Sequence, residues 1–385
     1  MWRSIASNFL TVAVLLLIAA AALVAWGKTQ YAGPGPLDDA ICFKVESGAT
    51  MKKVASALVS EGAIGSEYLF KVGADYQGKS GSLKAGSYLI TPGSSMAEIV
   101  STVTKSGLST CGTEINFRIG IAGADVVVRE LDPATNRYEE VAKFDPTAEA
   151  APQAYLDRAE DRDVRFRVTL AEGVTSWQVV EALKRAEFLD GELGEVPPEG
   201  MLSPDSYEVL RGTARADILA DMQARQAAEL DELWAGRDAD LPYATPEEAL
   251  IMASIIEKET GVAEERGLVA SVFINRLRDG MKLQTDPTVI YGLTKGQGIL
   301  GRGLRQSELR GRTPYNTYVI DGLPPTPIAN PGRDAIAAAL NPETSEYLFF
   351  VADGTGGHAF AVTLAEHNNN VARWREIEAQ QGTAN

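Results

Sequence analysis

Residues 245–261 read TPEEALIMASIIEKETG, and this stretch decides where the core of the chain lies. Thr245 is placed as an N-cap, Pro246 takes the first helical position, and Glu248 completes a capping box. Gly261 reads as the C-terminal stop. Between these signals Ala249 to Ile256 are apolar on every side except at Ser254. A helix apolar all round is buried all round, so a buried central helix is expected. Glu257 and Glu259 emerge from its last turn. Glu257 stacks on Leu250, Ala253 and Ser254, whereas Glu259 stacks on Met252, Ile255 and Ile256. Either carboxyl can therefore lie against apolar surface, where desolvation raises a carboxylic pKa as a general acid requires. Helical spacing leaves the choice between them open. It also leaves open a solvated last turn with ordinary surface glutamates.

Outward from this helix, Ala263 to Leu277 reads as a second helix, and the chain is expected to be helical from Val164 to about Arg278. Beyond that point Gly, Pro and aromatic residues dominate, with short strands at Tyr347–Val351 and His358–Val362. A helical half followed by a strand-and-loop half predicts an α+β domain over residues 164–378. The loops of the second half are rich in amides, hydroxyls and aromatic rings with little net charge. Such surfaces suit sugars, whose hydroxyls need polar partners and whose C–H faces stack on rings.

Toward the N-terminus a pattern recurs three times: an alternating strand, a Gly turn, a Ser/Thr cap and an amphipathic helix. The copies run Phe43-Lys44-Val45, Gly48, Thr50, Val54 to Val59 and Gly62; then Tyr88-Leu89-Ile90, Gly93, Ser95, Ile99 to Val103 and Gly107; then Phe166-Arg167-Val168, Gly173, Thr175 and Val179 to Leu183. Ser95 to Glu98 and Thr175 to Gln178 have capping-box spacing. Residues 41–112 resemble LysM-type glycan-binding modules, an α/β subdomain; a structural repeat without a ligand is the alternative. Residues 113–163 read as a β-rich insertion and acidic linker. Ile115, Phe117, Ile119 and Ile121 alternate, Asp132-Pro133 and Asn136 mark a turn, and Asp145 to Asp163 is expected to be a mobile connector.

Phe9 to Trp26 is an apolar run broken only by Thr11, flanked by Trp2 and Trp26. As a helix it spans about 27 Å, close to the hydrocarbon thickness of a bilayer. Ala20-Ala21-Ala22 would suit signal cleavage, but a signal core is usually only about 7–15 residues long. Residues 8–27 are therefore read as an uncleaved transmembrane anchor, residues 1–7 as a cytoplasmic N-terminus ahead of it, and Arg3 as a vote for the body lying outside. Gly33-Pro34-Gly35-Pro36 is a linker. Cys42 and Cys111 lie in the exported body, where either a disulfide or two buried thiols would be compatible with their spacing. The chain of 385 residues carries 36 basic and 52 acidic side chains, a net charge of −16 that argues against nucleic acid as a partner. Two Cys and two His exclude zinc-finger and iron–sulfur frameworks.

Six ordered blocks carry a family resemblance: ASIIEKET at 253–260, VFINRL at 272–277, LQTDPTVIYG at 283–292, PYNTY at 314–318, GLPP at 322–325 and GGHAF at 356–360. With them the chain resembles the endolytic murein transglycosylases (MltG-type, with a YceG-like domain) over about residues 164–375. The resemblance implies a lyase in the cell inner membrane, its body on the periplasmic side, that cuts peptidoglycan glycan strands internally. It implies Glu257, the first Glu of the EKET block, as the catalytic acid and Glu259 as a structural partner. The expected chemistry cleaves the bond from N-acetylmuramic acid to N-acetylglucosamine without water and leaves a 1,6-anhydro ring. Gln284, Asp286, Tyr291, Tyr315, Asn316 and Asn330 are candidates for substrate contacts or for orienting Glu257, and His358 is placed to line the cleft. Asp286-Pro287 has a turn as its alternative, and Asn330-Pro331-Gly332 a loop cap. His367 is expected to be structural, and no metal and no cofactor is called for. The expected partners are glycan strands and the lipid bilayer, with peptidoglycan synthases open. The rivals are a hydrolytic muramidase pairing Glu257 with Asp286, a non-catalytic glycan-binding scaffold, and a zinc-dependent peptidase.

Overall fold

Four Ser/Thr caps, at Thr50, Ser66, Ser95 and Thr175, organise the first half of the molecule. The computed structural model describes residues 2–105, 109–161 and 163–382, with side chains from residue 9 to residue 380 of these. The chain opens with helix α1 (Trp2–Ala32), whose segment Phe9–Ala32 is apolar enough to cross a membrane and is 0% buried in the protein. The side chains of Trp2 and Arg3 and the position of Gly107 lie outside the described residues. Strand β1 (Ile41–Val45) leads into α2 (Met51–Ser60), capped by Thr50, and α3 (Glu67–Tyr76), capped by Ser66. Strand β2 (Gly86–Ile90) returns antiparallel to β1, with Phe43 opposite Tyr88. Helix α4 (Met96–Thr104) follows, started by the expected Ser95–Glu98 capping box. The sequence reading missed α3, which stands between the first two copies of the repeat. Phe43, Val54, Leu58, Phe70, Tyr88 and Ile99 are among the buried residues of this core.

Cys42 and Cys111 are joined by a disulfide with their Cα atoms 5.6 Å apart, which resolves the open choice between a bridge and two thiols. The bond closes a separation of 69 residues; a loop of that length lowers the entropy of the unfolded chain by an amount worth about 4 kcal/mol.

Three strands come next, β3 (Thr113–Ile119), β4 (Ala124–Asp132) and β5 (Arg137–Phe144). The turn between β4 and β5 has the expected chemistry: Asp132 Oδ1 accepts from the Ala134 N–H, and Asn136 takes a left-handed φ of 53°. The stretch expected to be a mobile connector contains a helix, α5 (Gln153–Ala159), which buries Tyr155 and Ala159. Strand β6 (Arg165–Leu170) is followed by α6 (Ser176–Leu183), started by the Thr175–Gln178 capping box, and by β7 (Ser206–Val209), which runs antiparallel to β6. The sheet order is β5-β4-β3-β6-β7. The chain divides into two compact units: residues 1–115, 127–143 and 151–165, and residues 116–126, 144–150 and 166–385.

The second unit is built on the helix that the sequence placed at its centre. After α7 (Arg215–Ala235) comes α8 (Pro246–Glu259), in which every residue from Ala249 to Ile256 is buried. Ser254, the one polar residue in that run, donates to the Ile251 carbonyl at 2.7 Å and accepts from the Ile328 N–H at 3.0 Å. Its hydroxyl is thereby satisfied in the core and ties a later loop to the helix. The stop differs from the expected one. Thr260 turns extended (φ −135°, ψ 131°) and ends the helix, while Gly261 is not left-handed.

Helix α9 (Arg266–Arg278) packs on α8, preceded by a single 3-10 turn at Ala263–Glu265. Asp286-Pro287 is not a free turn but opens α10 (Asp286–Thr294), since proline's fixed φ suits the first helical turn as well as it suits a bend. Short α11 (Gln306–Arg310) and α12 (Arg333–Leu340) follow, the latter packed along α8 through Ala335, Ile336 and Ala339. Strands β8 (Phe349–Ala352) and β9 (His358–Ala361) form the expected antiparallel pair near the end, and α13 (Leu364–Gly382) closes the chain. Among the described residues, the half expected to be strands and loops thus holds four helices. The mixed α+β class stands, with one apolar N-terminal helix ahead of it.

Candidate active site

The C-terminal turn of α8 carries Glu257, Lys258 and Glu259 out of the core in diverging directions, because consecutive helical residues lie about 100° apart. Glu257 is half-buried, and its Oε2 accepts a hydrogen bond from the backbone N–H of Gly332 at 3.1 Å. Burial pushes its carboxyl above the usual carboxylate range. The Gly332 N–H opposes that shift, the neighbouring Glu172 charge adds to it, and Arg266 and Lys258 oppose it. Lys258 Nζ donates to the Gly173 carbonyl at 3.1 Å and pins the turn to the loop after β6.

Two short loops hold Glu257 between them. Gly173 N–H donates to the Asn330 carbonyl and Asn330 N–H donates to the Val174 carbonyl, each at 2.9 Å. The Glu172 carboxylate lies directly over Gly332, where a Cβ would displace it. Both carboxylates, of Glu172 and Glu257, therefore converge on this glycine. Arg266 holds Glu172 at 3.4 Å and Asp334 at 3.3 Å with the two arms of its guanidinium.

The candidates drawn from the sequence separate into groups. Asn330 is fully buried: its Oδ1 accepts from the Leu202 N–H at 3.0 Å and its Nδ2 donates to the Val174 carbonyl at 2.9 Å. It builds the loop that presents Gly332 to Glu257. Asn316 is also fully buried, donating to the carbonyls of Glu308, Leu309 and Gly311 and accepting from the Tyr318 N–H. Asp286 and His358 gather around Glu259 and not around Glu257. Thr285 donates its hydroxyl to Glu259 Oε1, and Tyr318 donates to Asp286 Oδ1 at 2.7 Å. Burial raises the Glu259 pKa, Asp286 adds to it, and His358 and Arg276 oppose it. His358 is held by Glu265, whose two oxygens meet its Nδ1 at 2.7 Å and its N–H at 2.9 Å. Gln284 sits at the turn before Thr285 in a left-handed conformation (φ 50°), its N–H donating to the Thr317 carbonyl at 3.2 Å.

Tyr291 and Tyr315 form a ring pair 5.0 Å apart. The Tyr315 hydroxyl bonds Thr326 at 2.8 Å, and Tyr291 donates to Glu199 Oε2 at 3.1 Å. Glu199 also accepts from the Ser176 N–H at 2.7 Å, and burial raises its pKa. Lys258 feels the charges of both Glu257 and Glu199. Sequence reasoning missed Glu172, Glu199, Lys258 and Arg266. The nearest sequence signal was the third copy of the repeat, whose turn contains Glu172 and Gly173. Among the described residues no three His, Cys, Asp or Glu side chains converge as a metal-binding group. Chemically the arrangement offers a carboxyl of raised proton affinity at Glu257, a second carboxylate beside it, and an aromatic pair formed by Tyr291 on α10 and Tyr315 in the loop after α11.

Residues 43–150 and 140–373 match the YceG-like family. The chain is 28% identical over 327 residues to the endolytic murein transglycosylase of Bacillus subtilis (strain 168), covering 85% of this chain and 82% of that protein. It is 34% identical over 181 residues to the protein of the same name from Streptococcus pneumoniae serotype 2 (strain D39), covering 45% of this chain and 32% of that one. A solved structure of a yceG-like protein from Listeria monocytogenes is 24% identical, covers 86% of this chain and 99% of its own, and superposes with a TM-score of 0.46.

Proposed function

The chain belongs to the YceG-like family, and from that premise we propose that it is a membrane-anchored lytic endotransglycosylase. It cleaves the bond from N-acetylmuramic acid to N-acetylglucosamine inside peptidoglycan glycan strands, and so ends them in 1,6-anhydro rings. Relatives carrying the name endolytic murein transglycosylase support the activity. The single observation that carries the chemistry is Glu257, a half-buried carboxyl with raised proton affinity, fixed by the Gly332 N–H at the end of the central helix.

In this reading Glu257 gives its proton to the glycosidic oxygen, and the bond to C1 of N-acetylmuramic acid breaks. The substrate's own acetamido group steadies the oxocarbenium-like centre. Glu257, now a carboxylate, takes the proton of the C6 hydroxyl, whose oxygen closes on C1. Atoms balance without water, and one carboxyl acts twice. Tyr291 and Tyr315 offer ring surface to the strand, and Gln284 and His358 line the far side of the α8 turn. Asn316 and Asn330 act by holding loops.

Residues 41–112 serve as a LysM-like glycan-binding part. Two antiparallel strands around two helices support that reading, as does a cavity of about 210 Å³ beside Phe43, Lys44, Gly48 and Lys53. Helix α1 is the anchor, in the inner membrane with the body on the periplasmic side; its length and its exposed apolar surface support it. Peptidoglycan synthases remain the natural protein partners for an enzyme that terminates nascent strands.

Mass spectrometry of purified peptidoglycan digested by the full chain tests the activity. The expected products end in 1,6-anhydro-N-acetylmuramic acid. Reducing ends, heavier by one water, would instead establish a hydrolytic muramidase, and intact strands would establish a scaffold. The pH profile gives a second check. Cleavage is expected to decline as pH rises through the pKa of Glu257, since the acid must start protonated. Glu172→Gln removes a like charge, lowers that pKa, and is expected to move the alkaline limb to lower pH. An unmoved limb would show that Glu172 does not act on the proton of Glu257.

A further inference from the structure

Helix α3 carries an unusual face. Tyr68, Val72 and Tyr76 follow one another at intervals of four residues and are 71%, 45% and 83% exposed. Single exposed apolar residues are ordinary on a protein surface, but three in register on one helix need a reason. The opposite face, with Phe70 and Ala74, fills the core of the first unit. Between the two faces runs the edge that meets α1. A Cβ on Gly27 would touch Leu69, a Cβ on Gly73 would collide with the ring of Tyr31, and Lys28 Nζ lies 6.0 Å from the centre of the Tyr76 ring. Helix α3 therefore crosses α1 at Gly27 to Tyr31, and its exposed face adjoins that crossing.

The level of the crossing is set by the anchor. Lys28 is the first charged residue after the apolar run. The 24 residues Phe9–Ala32 rise about 36 Å as a helix, more than the roughly 30 Å of a hydrocarbon core, so the last turns stand among the headgroups. Tyrosine is suited to that depth, with an apolar ring and a hydroxyl that stays wet. We propose that the Tyr68–Val72–Tyr76 face of α3 rests in the interfacial layer of the bilayer that α1 crosses, so that the first unit lies down on the membrane. The occupant is the lipid surface itself. The proposal rests on the reading of α1 as an anchor. It adds a second membrane contact that fixes how the first unit is oriented above the bilayer.

The test uses the full chain in vesicles of phosphatidylcholine and phosphatidylglycerol, with one nitroxide label at a time. Labels go on Tyr68→Cys, Tyr76→Cys, Lys52→Cys on the exposed face of α2, and Leu17→Cys inside the apolar run. All four positions are exposed in the protein, so the fold tolerates them. The expected result is an oxygen-to-nickel accessibility ratio at 68 and 76 severalfold above that at 52, at headgroup depth, with position 17 deep in hydrocarbon. Water-like ratios at 68 and 76 with position 17 deep would overturn the proposal and leave the anchor standing. Water-like ratios combined with immobilised spectra would overturn it in favour of a protein partner. A water-like ratio at 17 would remove the anchor reading and the proposal together.

Discussion

Glu257→Gln is expected to abolish strand cleavage, with a loss of about 10²–10⁴-fold or more, the contribution of a positioned general acid. The substitution is nearly isosteric. The amide oxygen still accepts from the Gly332 N–H, so the loop that now meets the carboxylate at 3.1 Å keeps its bond. What disappears is the proton that the leaving oxygen needs and the base that the C6 hydroxyl needs. Stability should not fall. Burial raises the pKa of Glu257 in the folded chain, so at neutral pH its charge works against folding, and a neutral amide removes that opposition. Product analysis and a thermal melt on the same sample therefore read two independent things. Glu259→Gln is the matched comparison, because Glu259 bonds Thr285 on the other side of the same turn. Should Glu259→Gln be inactive and Glu257→Gln active, the proposed roles of the two glutamates would be reversed.

Asn330→Ala is expected to cost about 2–4 kcal/mol. A buried donor or acceptor left unpaired costs about 1–3 kcal/mol, and this side chain serves several partners. Asn330 is 0% exposed and satisfies the Leu202 N–H and the Val174 carbonyl with its amide. Alanine leaves the Leu202 N–H without its acceptor in a place that water does not reach. A melting temperature lower by roughly 2–4 °C per kcal/mol follows for a body of this size. The same loop carries Gly332, so activity should fall further than stability alone explains, with kcat rather than KM affected. An unchanged melt would mean that water replaces the amide, and would remove the latch role argued for Asn330.

Much of this was legible because it is local. The capping boxes at Ser95, Thr175 and Thr245 formed as their spacing dictates, since an N-cap hydroxyl and a carboxylate or amide three residues on are within reach whatever lies around them. The burial of Ala249 to Ile256 was equally plain, as an all-apolar helix has no face to give to water. Helix α10 is hidden in the sequence because Asp-Pro opens turns and helices alike, as Asp286-Pro287 does here. Helix α3 escaped because its apolar residues fall on two faces, one buried and one exposed, which blurs the periodicity.

The sequence by itself determined that a buried helix ends in two glutamates, that a hydrophobic run precedes the body, and that the fold mixes helices with short strands. These are consequences of spacing and apolar patterning, which act over a few residues. Only the tertiary structure decided which surroundings each glutamate meets. Glu257 faces Gly332 and Glu172, residues 75 and 85 positions away in the chain, while Glu259 faces Thr285. The proton affinity of a carboxyl depends on the dielectric, charges and N–H groups within a few ångströms of it, and no local pattern records which distant loops arrive there.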